Sequence, residues 1–196
     1  MTQRILAEQI ATIATSHTSV PTDVRAMLHR VTLDAFGLML AARQTDYIEA
    51  LKASCLDQGT ATAFGHGSGF TVQDATLING TAVHGEDFDD TFEGTPVHVS
   101  SVIVPTMLAI AERENISRDR LINAMAQGSE LICRLALVAP TAIHRQGFHP
   151  TAILGAFGAS LTASIAYQLT PKQTASALGI VGSMASGIIE YLAEGT

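Results

Sequence analysis

The sequence contains two long runs without a single charged residue, at 151–171 and 173–189. A bilayer is crossed by about 20 consecutive apolar residues, so both length and charge would allow a membrane hairpin. Ala, Gly, Ser and Thr dominate the two runs and Leu, Ile and Phe are few, so the free energy of membrane insertion would be marginal. We therefore predict a pair of buried core helices, with the hairpin over 151–189 as the alternative.

Apolar residues recur at helical spacing along most of the chain. The pattern predicts a first helix around Ile10, a second from Thr22 through Leu40, a third after Asp46, and helices at 72–86, 100–114, 118–138, 151–168 and 172–193. Thr170, Pro171 and Gln173 form the pattern of a capping box at the start of the last helix. A glycine-rich loop at 60–71 allows a short strand at 62–64. We predict an all-α multi-helix domain over residues 1–196, with Ala- and Gly-rich helices at its centre.

The bulk composition excludes several classes of protein. Charged residues make up 15% of the chain and the formal net charge is −7, without a basic patch, so nucleic acid is not an expected partner. The two cysteines are far apart in sequence and form neither a disulfide framework nor a cluster site. The first ten residues lack the apolar run of a signal peptide. We expect a cytoplasmic protein that does not bind membranes.

One short stretch, HGEDFDDTFEGTPVH at 84–98, holds five carboxylates and two histidines. A calcium loop would need an acid or Asn at its fifth position and Gly at its sixth, where this sequence has Thr91 and Phe92. No CxxC or HxxxH pattern supports a zinc site. The calcium loop is excluded and no metal is predicted, although a looser Asp/His site for a divalent ion remains an alternative.

Acid–base chemistry is the other use of such a stretch. Histidine exchanges protons near neutral pH, and a neighbouring carboxylate orients the ring and raises its basicity. His98 lies beyond a turn that contains Gly94 and Pro96, and His149 lies in a second loop between Gly147 and Pro150. Both loops border helices, so the two histidines could meet at one end of a helical bundle.

Several blocks of the sequence resemble one family. NGTAVHGEDFDDT at 79–91, then His98 and VPTMLAIAE at 104–112, is similar to the signature of the MmgE/PrpD family, which includes 2-methylcitrate dehydratase, cis-aconitate decarboxylase and iminodisuccinate epimerase. GFHPTAILGAFGAS at 147–160 and ALGIVGSMASGIIEYLAEG at 177–195 agree with later blocks, and DAFGLML at 34–40 fits an earlier helix. The blocks occur in the family's order.

The resemblance implies a lyase or isomerase without a cofactor, acting on a small di- or tricarboxylate by dehydration, decarboxylation or epimerisation. It implies His98, His149 and Asp87 as catalytic residues and Thr91 as a substrate-binding residue. Arg145, and less directly Arg134, are the cations that could bind a carboxylate of an anionic substrate beside so many acids. The resemblance also implies a homodimer.

The same resemblance defines an alternative. Family members are longer, with site lysines and a smaller α/β domain in segments beyond the equivalent of Thr196. The chain therefore looks like the helical N-terminal part of such an enzyme. The alternative function is a non-catalytic helical dimerisation module, or one half of a split enzyme with a separate C-terminal chain as partner. DFDDT at 87–91, with Asp89 in place of the DFNDT asparagine, is closer to the decarboxylase and epimerase branches, and His98 is followed by Val99 instead of the usual proline.

Overall fold

A computed structural model describes residues 5–190 of the chain. In chain order its elements are α1 (Leu6–Ser16), α2 (Thr22–Ala42), α3 (Asp46–Ser54), β1 (Ala61–Ala63), β2 (Gly67–Phe70), α4 (Val72–His84), α5 (Ser100–Arg113), α6 (Arg118–Val138), α7 (Ala142–Arg145), α8 (Pro150–Ala166) and α9 (Pro171–Met184). The predicted all-α class is confirmed: helices dominate these residues, and the one sheet is a two-stranded antiparallel hairpin.

The expected pair of buried core helices, over 151–171 and 173–189, is correct for α8 and wrong for α9, in which only Thr174 and Leu178 are buried. The helix that packs against α8 through glycines is α6. A Cβ at Gly128 would overlap the Thr162 hydroxyl and lie 2.8 Å from the Gly158 carbonyl oxygen, and a Cβ at Gly158 would overlap the Ile132 side chain. Only glycine permits the two backbones to approach this closely. The most deeply buried large side chains around this contact include Ile103, Ile132 and Leu161.

Within residues 5–190, one helix is long and apolar enough to cross a bilayer by length and composition, namely Arg118–Val138. Such helices also form the cores of soluble proteins, and this one packs along α8 at the glycine contact. The two runs that the sequence suggested for a membrane hairpin over 151–189 form α8, of 17 residues with ten of them buried, and α9, of 14 residues. The helix α8 is closely packed. It packs against α5 through Gly155, where a Cβ would lie 2.7 Å from the Val102 side chain.

The start of α9 agrees with prediction and its end does not. Thr170 and Gln173 form the reciprocal capping box that the sequence indicated. The helix was expected to run to residue 193, but it ends at Met184, and residues 191–193 lie outside the described part of the chain. Gly187 adopts a φ of 133°, which a side chain rarely tolerates, and the chain turns back to pair Phe148 with Ile188. This short pairing fixes the loop that carries His149.

The β-hairpin is held by a buried side chain of α4. The short strand expected at 62–64 forms at Ala61–Ala63 and pairs with β2, which the sequence pattern did not predict. Asn79, 2% exposed, accepts a hydrogen bond from the Phe64 amide at 2.7 Å and donates one to the Thr62 carbonyl at 3.0 Å. The two bonds satisfy backbone groups that would otherwise be buried without partners.

Candidate functional site

Three helix termini meet at one end of the α4, α5 and α8 bundle. His84 is the last residue of α4, His98 precedes α5 by two residues, and His149 is the residue before the first turn of α8. Asp87 and Asp89 lie in the loop that joins α4 to α5. These five residues are called the histidine–aspartate cluster below.

Two side-chain hydrogen bonds fix the loop on either side of His98. Asp90 Oδ1 accepts a hydrogen bond from the Ser100 amide at 2.8 Å and so caps the start of α5. The His98 amide donates to the Thr151 hydroxyl at 3.0 Å, and Thr151 is buried in the first turn of α8. The second bond ties the His98 loop directly to the helix that follows His149.

The Asp89 carboxylate is the centre of the cluster. Its side chain has no solvent exposure, and its oxygens Oδ1 and Oδ2 lie 3.2 and 3.0 Å from His84 Nδ1. His98 Nδ1 lies 3.0 Å from Asp89 Oδ1, although it is off the line of a hydrogen bond. One buried anion therefore contacts the same ring nitrogen of two histidines.

His149 and Asp87 are the outer members of the cluster. His84 Nε2 lies 3.3 Å from His149 Nε2, with the two rings stacked at a centroid distance of 5.1 Å. His98 Nε2 lies 3.6 Å from Asp87 Oδ1. Asp87 has a φ of 55°, a left-handed conformation that Asp adopts more readily than most residues and that is found repeatedly at functional sites. The three imidazoles form a continuous row in the order His149, His84 and His98.

The environment gives the members of the cluster different proton affinities. Burial acts to raise the pKa of the Asp89 carboxyl, but its contacts with His84 and His98 outweigh burial and hold the pKa below its usual range. The Asp89 carboxylate in turn raises the pKa of His98, against the opposing effect of burial. Burial, with the charge of His84 and His98, lowers the pKa of His149 to about 4. At neutral pH, His149 is thus a neutral ring and His98 is the better holder of a proton.

The backbone around His149 is fixed by the segment after α9. The His149 amide donates a hydrogen bond to the Gly187 carbonyl at 3.0 Å, and the Ile189 amide donates to the Gly147 carbonyl at 3.1 Å. A Cβ at Gly187 would lie 2.7 Å from the Ala152 Cβ. Glycine is required there for its positive φ and for its close approach to α8.

The structure brings some of the predicted site residues together and leaves others apart. Asp87, His98 and His149 belong to the cluster, and their catalytic roles remain predictions. Thr91 and Arg145 are exposed, and within residues 5–190 neither side chain forms a hydrogen bond or ion pair. Arg134 is exposed on α6 and pairs with Glu130 at 2.6 Å.

Sequence reasoning did not select His84 and Asp89 as functional residues. His84 ends a helix and lies five positions before Asp89, a spacing that matches no helical or metal-binding pattern. The burial of Asp89 was the missing information, because a loop carboxylate is normally solvated. The absence of Lys and Arg from 84–98 was the available signal: a buried acid in this stretch could be paired locally only with a histidine.

The histidine–aspartate cluster can do two kinds of chemistry. Neighbouring rings of unlike proton affinity can donate and accept protons at a bound molecule. His84, Asp87, Asp89 and His98 also place one ligand atom each within 4.8 Å of the others, so these four residues could hold a metal ion.

Comparison of the sequence with known proteins identifies the same family as the sequence motifs around the site. A family model described as the MmgE/PrpD N-terminal domain matches residues 4–196. A cis-aconitate decarboxylase-like protein, oryM, of Aspergillus oryzae is 25% identical over 188 residues, which cover 90% of this chain and 39% of that protein. Human cis-aconitate decarboxylase is 33% identical over 116 residues, covering 57% of this chain and 24% of the enzyme. The Aspergillus terreus cis-aconitate decarboxylase is 23% identical over 179 residues, covering 87% and 36%. The chain thus spans well under half the length of these relatives.

Proposed function

The chain belongs to the MmgE/PrpD family, and from this premise we propose that it carries the acid–base half of a lyase site for a small di- or tricarboxylate. Decarboxylation is the favoured reaction, because the relatives described above bear the name of cis-aconitate decarboxylase. Dehydration and epimerisation are the other reactions of the proposal, since all three pass through a carbanion beside a carboxylate. The chemistry needs no cofactor, only a proton donor, a proton acceptor and positive charge for the substrate.

The single observation that supports this function most is the buried Asp89 carboxylate between His84 and His98. A carboxylate that holds imidazole Nδ1 leaves Nε2 as the nitrogen for proton exchange, as in other carboxylate–histidine pairs. His149 continues the row, with its Nε2 at 3.3 Å from that of His84. Protons can be moved between these rings without a change of backbone structure.

The proposed roles follow from the different proton affinities. His98, whose pKa is raised by Asp89, is the proton donor. In decarboxylation the bond between the substrate carbon and the carboxylate breaks. Carbon dioxide leaves, the electron pair of the broken bond stays on the substrate carbon, and the resulting carbanion takes the proton from His98. His149 is neutral and serves as the proton acceptor in dehydration or epimerisation. Asp87, 3.6 Å from His98 Nε2, orients that ring towards the substrate.

The negative charge around the site requires positively charged groups to bind an anionic substrate. A polycarboxylate next to Glu86, Asp87 and Glu93 is repelled unless cations compensate. Thr91 and Arg145 are proposed to bind substrate carboxylates, Thr91 from the same loop and Arg145 from α7, before the His149 loop. Further positive charge is expected from segments beyond residue 196 or from a partner chain. The proposal includes a homodimer in the cytoplasm.

Proton exchange in deuterated water tests this function. The protein is mixed with cis-aconitate, 2-methylcitrate or a related acid, and incorporation of deuterium at carbon is followed by NMR. We expect exchange in the wild type and a loss of roughly 100-fold or more in His98→Ala and His149→Ala. His29→Ala is the matched control, because His29 is exposed on α2 and its one side-chain polar contact within the described residues is with Arg118.

Two results would overturn the proposal. Equal exchange in the wild type and both site variants would remove His98 and His149 from catalysis. A stable dimer without exchange, alone and with any separately encoded C-terminal chain, would favour the alternative of a non-catalytic helical module. Sedimentation of the same samples gives the oligomeric state needed to read the second result.

A further inference from the structure

The histidine–aspartate cluster has an unusual charge balance. Residues 84–98 contain five carboxylates and neither Lys nor Arg. Among the described residues the ion pairs of Lys and Arg go to other acids, on α3 and α6 or directly after α5, and none reaches this stretch. The fully buried Asp89 side chain therefore has two histidines as its basic partners.

Two of the other acids are already engaged. Glu86 accepts a hydrogen bond from the Tyr47 hydroxyl at 2.8 Å, and Asp90 caps α5 through the Ser100 amide. Glu93 is exposed, and Asp87 and Asp89 are the carboxylates that face His84 and His98. These four residues are also the ones that place one ligand atom each within 4.8 Å of the others.

The contact between His98 and Asp89 has a separation that also suits two ligands of one ion. His98 Nδ1 is buried, and Asp89 Oδ1 lies 3.0 Å away without meeting the geometry of a regular hydrogen bond. Two atoms bound to one ion at about 2.0–2.2 Å each are roughly 3 Å apart, with the ion between their lone pairs.

We propose that His84, Asp89 and His98 bind a divalent transition-metal ion of the zinc type, with Asp87 as a fourth and weaker ligand. Two imidazoles and one or two carboxylates suit zinc and its first-row neighbours. Calcium prefers six to eight oxygen ligands and magnesium an octahedron of oxygens, which this donor set does not supply. Asp87 is exposed at 71% of its side chain, so the fourth position remains accessible to water or to an added ligand.

The proposed metal site shares residues with the proposed reaction but is not part of it. A bound ion takes the nitrogens that would otherwise carry protons, so metal binding and acid–base chemistry compete for His84 and His98. The protein would be inhibited by zinc at concentrations that fill the site. Binding itself is measured without substrate, so a failure of this inference leaves the proposed function untouched, and the reverse holds as well.

Cobalt(II) gives a direct test. The full chain is treated with EDTA, dialysed and titrated with Co²⁺, and the visible absorption of a tetrahedral or five-coordinate site is recorded. We expect one ion per chain, displaced by Zn²⁺, and a loss of affinity on the order of 100-fold in Asp89→Asn and His98→Ala. Asp87→Asn should weaken binding less, and Glu86→Gln, next to the site but bonded to Tyr47, should leave it unchanged.

A second measurement covers variants that fail to fold. Zn²⁺ is added to the wild-type protein labelled with ¹⁵N, and the imidazole nitrogens are observed by NMR. Large shifts at the Nδ1 resonances of His84 and His98, with His29 and His66 unaffected, support the site. Absence of a Co²⁺ spectrum, a stoichiometry near zero, or equal shifts at all histidines would overturn it.

Discussion

The α6–α8 contact and the histidine–aspartate cluster use the same helix in opposite ways. At the middle of α8, Gly158 allows close packing because it has no side chain to fit. At the start of α8, His149 and Thr151 contribute ring and hydroxyl contacts that connect three chain segments. The first region depends mainly on volume, with one buried hydrogen bond from the Thr162 hydroxyl to the Ala124 carbonyl at 3.3 Å, whereas the second depends on charge and hydrogen bonding. Substitutions should therefore affect stability most in the first region and proton affinity most in the second.

The largest expected effect is in the glycine contact. Gly128→Ala should lower the free energy of unfolding by about 3 kcal/mol, because its Cβ would overlap Thr162 and press on the backbone of α8. Gly37→Ala is the matched control, since it lies within α2 and its Cβ would meet nothing within 4 Å. Urea denaturation measures both. Equal stability of the two variants would show that α6 and α8 are further apart than described.

Asp89→Asn should have the next largest effect, and it should change both the free energy of unfolding and the pKa of His98. We expect a loss of roughly 1–3 kcal/mol, because a buried charge-assisted contact to His84 and His98 is removed. The pKa of His98 should fall, since Asp89 is the main cause of its elevation. NMR titration of the metal-free protein measures the pKa. A larger fall in Asp87→Asn than in Asp89→Asn would contradict the arrangement.

Thr151→Val tests the hydrogen bond between the His98 loop and α8, and a smaller loss of stability is expected. The substitution keeps the shape of the side chain but removes the acceptor for the His98 amide. We expect about 1 kcal/mol of destabilisation from this buried, unsatisfied amide. Thr106→Val is a control, because the Thr106 hydroxyl bonds only to a carbonyl one turn earlier in α5. If the two variants were equally stable, the His98 loop would not depend on α8.

The smallest expected effect is on the pH dependence of stability. The folded protein lowers the pKa of His149 to about 4, whereas an unfolded histidine titrates near 6.5, so the unfolded state binds more protons between these values. His149 therefore makes the protein less stable as the pH falls from 7 to 4.5. His98 acts in the opposite direction, since its raised pKa contributes stability below 6.5 that is lost as the pH rises through the folded value. Asp89 contributes no change over this range, which lies above its unfolded pKa.

His149→Gln should accordingly lose less stability than the wild type between pH 7 and 4.5. Urea denaturation of EDTA-treated protein at several pH values measures the difference, with His29→Gln as the control. A steeper loss in His149→Gln would mean that the folded structure raises the pKa of His149 instead.

Much of the fold could be predicted because its signals are local. The capping box of α9, the helix at 118–138 and the buried nature of 151–166 follow from spacing and composition. The end of α9 could not be predicted, because residues 185–190 leave the helix to pair with the distant segment 147–149. The positions of His98 and His149 at one end of the bundle were anticipated from their loops. The shared role of Asp89 was not, since it depends on burial of its side chain between His84 and His98, which the sequence does not indicate.

The pairing of Phe148 with Ile188 closes a loop of chain that contains both α8 and α9. Closing a loop of this length costs conformational entropy that contacts within a single helix do not cost. Transient opening of this pairing would detach the ring from its neighbours while the glycine contact between α6 and α8 stays closed. Exchange of the His149 amide with solvent deuterium would then measure how often this pairing opens, separately from unfolding of the helical bundle.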